Sequence, residues 1–186
     1  MKRPLPMLLA CLLTGSGAWA GGAGPTLQNP LQTLRQRHLI ESATFERAHA
    51  TSQVQRLKWR DPAAELFVLL GSAAQTPVQA EQVRELSVWV HLPAGDRLTR
   101  PQAQALNSAA QWLSRWCFRQ SAPGLPRVLM GLADQPPRAG VQRALGQGMT
   151  VDIAAPAEFR ASGLDVQVSA AAQPGGALGC AMPVLP

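Results

Sequence analysis

The chain has 186 residues and a formal net charge of +6, and this length fits one domain with an irregular arm. Almost all of its positive charge is arginine, and it contains neither a run of Lys and Arg nor an interleaved series of aromatic residues. A groove for a nucleic-acid strand needs both features, so the composition indicates a solvated surface and no nucleic-acid partner.

Residues 1–20 have the three parts of a secretory signal peptide. A short basic start is followed by the apolar stretch LPMLLACLL, which is far shorter than the roughly 20 residues of a membrane span, and the pattern AWA closes the segment. We therefore expect cleavage before Gly21 and a mature protein in the periplasm. The alternative is that LLAC is a lipobox, in which case Cys11 is lipidated and becomes the mature N-terminus. No later segment is apolar enough to form a transmembrane helix.

Residues 21–62 are predicted to form a partly helical N-terminal arm. Between residues 31 and 50, four side chains share one side of a helix: Leu31, Leu34, His38 and Glu41. A single domain is expected to follow from residue 63 to residue 186. It opens with AELFVLLGSAA, a short apolar run that suits a buried strand better than a short helix.

The clearest strand is LSVWVHL, residues 86–92, in which apolar residues alternate with Ser87, Trp89 and His91. Trp89 and His91 therefore project from the face opposite the core, and they are candidates for an interaction face.

A PAGD turn and a long helix follow this strand. Thr99 and Gln102 have the spacing of a capping box, and a tolerated proline stands in the first helical turn. Apolar residues then recur at the spacings of one helical face up to about Phe118.

The rest of the chain is predicted to complete a small mixed sheet. RVLMGLA is interpreted as a strand that returns beside LSVWVHL after a right-handed crossover, and such a crossover makes the pair parallel. VQRALG is expected to form one or two helical turns, and MTVDI and LDVQVSA are expected to be strands. The predicted fold class is therefore α/β or α+β, with strand–helix–strand order and one long amphipathic helix.

Two cysteines, Cys117 and Cys180, remain once the signal peptide is removed. In an oxidising compartment an isolated pair most often forms a disulfide, which here would tie the end of the long helix to the C-terminal tail. The chain-entropy model values such a bond at about 4 kcal/mol. A reactive thiol is the alternative, and it would need a nearby base and a reducing partner.

The sequence offers no catalytic motif, metal pattern or cofactor-binding loop, and we predict no enzyme activity, cofactor or metal. Asp96 and Arg97 stand at the turn beside His91, where an acidic residue before a helix is ordinary. A general acid–base site would require His91 to meet Asp96 or a serine in a cleft.

Residues 86–182 resemble the CpaD-type proteins of Tad (Flp) pilus biogenesis. The resemblance rests on LSVWVHLPAGDRLTRPQAQALNSAAQWLSRW, then PRVLMGLA, then LDVQVSAAAQPGGALGCAMP. These match the family's order of an apolar strand, a Gly-Asp turn, a Leu-Thr-x-x-Gln helix start, a helix, a strand and a cysteine near the C-terminus. The resemblance implies a non-catalytic, periplasmic or outer-membrane-attached accessory protein of the pilus secretion channel. Members of the family are typically lipoproteins, which favours lipidation of Cys11.

The order strand, turn, helix, strand also resembles OmpA-like peptidoglycan-binding domains, and MGLADQPPRAG is similar to that family's Gly-x-x-Asp segment. This resemblance implies that Asp134 binds the amine of a peptidoglycan stem peptide. It also implies that Arg143 meets the carboxylate, a pairing that suits guanidinium geometry. A turn aspartate and a surface arginine are the ordinary alternative. The sequence thus predicts a secreted assembly protein that works through protein contacts, with peptidoglycan binding as the second hypothesis.

Overall fold

The structure is a computed structural model. It describes residues 27–49, 51–72, 82–133, 135–136, 138–146, 148–155, 162–176 and 179–183. The predictions for the signal peptide, for Cys11 and for Asp134 fall on residues outside these ranges.

Within these ranges seven strands form one sheet in the order β1-β2-β3-β4-β7-β6-β5, and every neighbouring pair is antiparallel. Three helices of the same described residues accompany the sheet, so the fold is a mixed α+β fold with one long amphipathic helix, as predicted. The elements in chain order are α1 Pro30–Gln36, β1 Ile40–His49, β2 Ser52–Trp59, β3 Ala64–Gly71, β4 Glu85–Leu92, α2 Arg100–Phe118, α3 Leu125–Ala133, β5 Val141–Gly146, β6 Met149–Ala154 and β7 Leu164–Ala171.

The two faces of the sheet differ in what lies on them. Since paired residues of an antiparallel ladder point to the same side, the register assigns each side chain to one face. One face, which we call the covered face, shares a single core with the three helices, and its central residues are Val68, Leu70, Leu86, Val88, Val90, Val166, Val168 and Val151. The opposite face, which we call the open face, carries the alternate residues of the same strands. Within the described part of the chain no helix packs on the open face.

Helix α2 is the element that the sequence specifies best. The Thr99 hydroxyl accepts a hydrogen bond from the Gln102 N–H at 3.3 Å, and the Gln102 side chain accepts one from the Thr99 N–H at 2.9 Å, so the predicted capping box is confirmed. Nine residues along one side of α2 are buried, and the helix ends at Phe118 because Arg119 adopts a left-handed conformation with φ 58°. The helix packs against β3, β4 and β7, which places it over the middle of the covered face.

The prediction that RVLMGLA is a parallel strand is wrong, because residues Leu125–Ala133 form helix α3. Leu125 and Leu129 are fully buried and lie one helical turn apart, which is the spacing of a helical face. A short apolar run fits a buried strand and a buried helix equally well. Here the segment packs against α2, and this tertiary contact favours the helical conformation. The strands on the two sides of β4 are therefore β3 and β7, and both pair with it in antiparallel register.

Two further segments were predicted with the wrong secondary structure. The helix expected over residues 31–50 ends at Gln36, and His38 with φ 55° turns the chain into β1. VQRALG forms β5 rather than a helix, since Gly146 and Gly148, at φ 82° and 75°, allow a tight hairpin with β6. The boundary expected at residue 62 falls in the turn between β2 and β3, two neighbouring strands of the one sheet.

The C-terminal tail crosses the end of α2 and is tied there by the disulfide between Cys117 and Cys180. The Gly179 N–H donates to the Cys117 carbonyl at 2.9 Å, and the Val83 N–H donates to the Cys180 carbonyl at 3.1 Å. A Cβ on Gly179 would lie 2.5 Å from the Trp116 carbonyl oxygen, so only glycine allows this close approach. Among the residues described, no helix is long and apolar enough to span a membrane.

Candidate functional site

The centre of the open face is an apolar patch formed by Val54, Phe67, Leu69 and Trp89. Trp89 lies directly across from Phe67 in the β3–β4 ladder, and their rings stack with centroids 5.6 Å apart and an interplanar angle of 22°. Phe67 and Val54 are nearly buried, whereas Leu69 and Trp89 are partly exposed. The patch therefore presents one indole and one leucine to solvent on a base of buried apolar residues.

A polar cluster borders the patch on the side of β7. Gln167, the partner of Trp89 in the β4–β7 ladder, donates from Nε2 to the hydroxyl of Ser87 at 3.0 Å and to that of Ser169 at 2.8 Å. The two serine hydroxyls are 2.9 Å apart and hydrogen-bonded to each other. These bonds hold the serine and glutamine side chains in fixed positions beside the tryptophan.

A charged cluster borders the patch on the other side. Arg56 of β2 lies across from Phe67, and its guanidinium pairs with Glu46 of β1 at 2.5 Å and with Glu65 of β3 at 3.9 Å. The open face thus has an apolar centre between a polar rim and a charged rim, which is the pattern of a protein-binding surface.

His91 meets a carboxylate, but not the one beside it in sequence. Its Nδ1 lies 2.8 Å from Oδ1 of Asp165, its direct partner across the β4–β7 ladder, and both side chains are mostly buried. Asp96 is exposed, and its N–H donates to the Pro93 carbonyl at 3.0 Å, so it is a turn residue. Gly163 packs so closely here that a Cβ would lie 3.0 Å from His91 Cε1 and 2.2 Å from the Leu92 carbonyl oxygen.

The His91–Asp165 pair can orient and hold an imidazole, yet the described residues supply no hydroxyl or thiol hydrogen-bonded to that ring. A nucleophile in contact with the base is what hydrolytic chemistry of this kind requires. Nor does any group of three or more His, Cys, Asp and Glu within the described ranges have the geometry of a metal site. The arrangement therefore fits a structural cross-strand pair at the edge of the open face.

Arg143 lies on edge strand β5, far from the apolar patch in the strand order. It pairs with Val151 and lines a cleft of about 370 Å³ together with Arg138, Gln135 and the apolar residues Leu132, Val141 and Ile153. Asp134, which the sequence placed with Arg143 in one site, lies outside the described residues.

Asp165 and Gln167 of β7 are among the residues of the open face that were not predicted, as are Val54, Phe67 and Leu69 of β2 and β3. Alternate residues of LDVQVSA are apolar, and this alternation puts Asp165, Gln167 and Ser169 together on the side opposite the core. Their meeting with Ser87 and His91 depends on the pairing of β7 with β4, which lies far away in sequence.

Comparison of the chain with protein-family models, with curated proteins and with solved structures gives no match.

Proposed function

We propose that this protein is a non-catalytic accessory protein of the bacterial cell envelope that acts through protein contacts in pilus or secretion-channel assembly. The observation that carries the proposal is the open face, where Trp89 and Leu69 are presented between a polar and a charged rim. Tryptophan at the centre of such a surface is the residue type most often found at the energetic centre of protein interfaces.

Binding accounts for the open face better than catalysis does. The polar side chains next to Trp89 bond to one another, so each already has a partner within the protein. The same bonds fix the surface before a partner arrives, and a rigid surface loses less entropy on binding.

The location and the partners are proposed on two grounds. The Cys117–Cys180 disulfide is compatible with an oxidising compartment such as the periplasm. The resemblance to CpaD-type proteins supports pilus or secretion-channel proteins as the partners. It rests on the first strand, the Gly-Asp turn, the capped helix and the C-terminal cysteine, since the strand it expects at PRVLMGLA is helix α3. The proposed mature protein begins at Gly21, and attachment to the outer membrane through a lipidated Cys11 is the alternative.

The test is affinity purification of the tagged protein from its own cell envelope, followed by mass spectrometry of the co-purified proteins. We expect components of a pilus or secretion channel to be recovered with the wild-type protein. Recovery should be lost with Trp89→Ala and with Leu69→Ser, two changes on the open face.

Met130→Ala is the control, because Met130 is also a partly exposed apolar residue but lies on α3, away from the open face. It should retain the partners of the open face. Equal recovery with Trp89→Ala, Leu69→Ser and wild type would contradict the proposal. The N-terminal mass measured in the same experiment distinguishes a start at Gly21 from a lipidated Cys11.

A second candidate function is peptidoglycan binding, and the cleft that contains Arg138 and Arg143 is the observation that favours it. Two guanidiniums in one cleft suit the carboxylates of a stem peptide. Sedimentation with purified peptidoglycan tests this function: Arg143→Gln should reduce the bound fraction, and Asp134→Ala should do the same. Binding that survives both changes excludes a site of this kind.

A further inference from the structure

The outer side of the helix layer carries a groove that no part of the proposed function uses. It lies along the second half of α2, has a volume of about 410 Å³ and is bounded at one side by Arg37, which follows α1. We call it the α2 groove, and its floor and walls include Arg37, Gln111, Trp112, Arg115, Trp116 and Arg119.

Two indoles form the apolar part of the α2 groove. Trp112 and Trp116 lie one helical turn apart, and their rings meet edge to face with centroids 4.7 Å apart. The guanidinium of Arg37 lies over the Trp112 ring at 5.8 Å from its centroid, so the indole holds this cation at the rim.

One wall of the groove is fixed by hydrogen bonds. The Gln111 side chain donates to the Ala122 carbonyl and accepts from the Ala122 N–H at 3.3 Å. Both ends of the amide are thereby used within the protein, and the wall does not depend on a ligand for its shape.

The α2 groove carries positive charge that no carboxylate of the described residues neutralises. Arg37, Arg115 and Arg119 are exposed, and within the described part of the chain none of them lies within ion-pair distance of a carboxylate. Neither α1 nor α2 contains an Asp or a Glu. Three guanidiniums therefore surround two indoles with no acidic side chain on either helix.

We propose that the α2 groove binds an acidic peptide segment of a partner protein, with carboxylates on the arginines and apolar side chains against Trp112 and Trp116. Guanidinium groups bind carboxylates through two parallel hydrogen bonds, and the indoles offer surface for the side chains between them. The groove lies on the helix layer, away from the open face, so this proposal stands or fails independently of the function proposed above.

A peptide fits these observations better than other polyanions. A nucleic-acid groove tracks the backbone with many cations, and anionic membranes are bound by larger clusters of Lys and Arg than three arginines. The single described lysine, Lys58, lies on the open face beside Glu65 and adds nothing to this groove.

The test uses the purified protein and a short fluorescein-labelled synthetic peptide in which Glu alternates with Leu, with fluorescence anisotropy as the readout. We expect saturable binding that weakens as salt is added, because the contacts are between exposed charges. The matched peptide with Gln in place of Glu should bind at least about tenfold more weakly.

Variants locate the binding to the groove. The double change Arg115→Gln with Arg119→Gln should weaken binding about tenfold or more, and it alters only exposed side chains. Arg97→Gln is the charge-matched control for Arg115→Gln alone, because each change removes one exposed guanidinium. Arg97 precedes α2 at the end opposite the groove, so Arg97→Gln should leave the affinity unchanged.

Three results would overturn the proposal. These are no binding of the Glu–Leu peptide, equal affinity for the Gln–Leu peptide, or equal weakening by Arg97→Gln. A further result would also overturn it. If the protein binds phosphatidylglycerol vesicles or double-stranded DNA more tightly than the peptide, and the double variant loses that binding, the groove belongs to a lipid surface or a nucleic acid.

Discussion

The two faces of one strand show how differently this protein uses its residues. Strand β4 buries Leu86, Val88 and Val90 under the helices. The intervening Ser87 and Trp89 are partly exposed on the open face. The covered face is stabilised by apolar burial against α2, and the open face by hydrogen bonds and ring stacking within the sheet. A face that completes its own polar contacts can remain uncovered by helices, and it is the face to which the proposed function assigns partner binding.

The largest loss of stability is expected when the disulfide between the C-terminal tail and α2 is removed. Replacing Cys117 and Cys180 together with serine removes a bond that spans 63 residues of sequence, which the chain-entropy model values at about 4 kcal/mol. Urea unfolding should show this loss, and the wild-type protein under reducing conditions should match the double variant. Unchanged stability of the double variant would mean that the tail does not hold the helix layer.

The second prediction compares adjacent residues on opposite faces. Leu86→Ala on the covered face should lower the free energy of unfolding by about 3 kcal/mol, because a fully buried leucine leaves a cavity. Ser87→Ala on the open face should lower the free energy of unfolding by less than about 1 kcal/mol, because water can replace the hydrogen bonds of this partly exposed hydroxyl. Thermal or urea unfolding of both variants measures the difference, and equal losses would contradict the assignment of the two faces.

The third prediction concerns the most buried polar contact of the open face. His91→Ala removes the hydrogen-bond partner of Asp165, which is 7% exposed, and should cost about 2 kcal/mol in unfolding free energy. Asp165→Asn keeps an oxygen opposite the ring and should cost less. If both substitutions leave the unfolding curve unchanged, the pair does not stabilise the sheet.

The smallest effect should come from the start of α2. Thr99→Ala removes the hydroxyl that accepts from the Gln102 N–H and should cost about 1 kcal/mol, whereas Thr99→Ser should retain nearly all of the stability. Denaturant unfolding of the two variants measures the cap, and an identical loss in both would show that the hydroxyl is not what matters.

The sequence predicted well where the signal is local. The alternation of β4 and the capping box of α2 are each contained in a few consecutive residues, and both are confirmed. The expected disulfide between Cys117 and Cys180 is also present. It could be predicted because these are the only two cysteines after residue 20.

The sequence predicted poorly where tertiary contacts override the local pattern. On β2, Gln53 and Gln55 occupy the covered face and are buried, so the strand lacks a clean apolar alternation and was not predicted. Gln53 can lie there because its Nε2 donates to the Pro183 carbonyl at 2.7 Å, a contact with the far end of the chain.

The open face was predicted only in part for the same reason. The alternation of β4 placed Trp89 and His91 away from the core, as the structure has them. Their neighbours Phe67 and Asp165 come from other strands, and the register that brings them together could not be read from either segment alone.

Hydroxyl-radical footprinting of the tryptophans, in the purified protein and in the native cell envelope, shows whether a partner covers the open face. We expect Trp89 to be oxidised in the purified protein and protected in the envelope, while Trp59, which is 3% exposed on the covered face, stays unreactive in both. Equal oxidation of Trp89 in the two preparations would mean that no partner binds the open face and would contradict the proposed function.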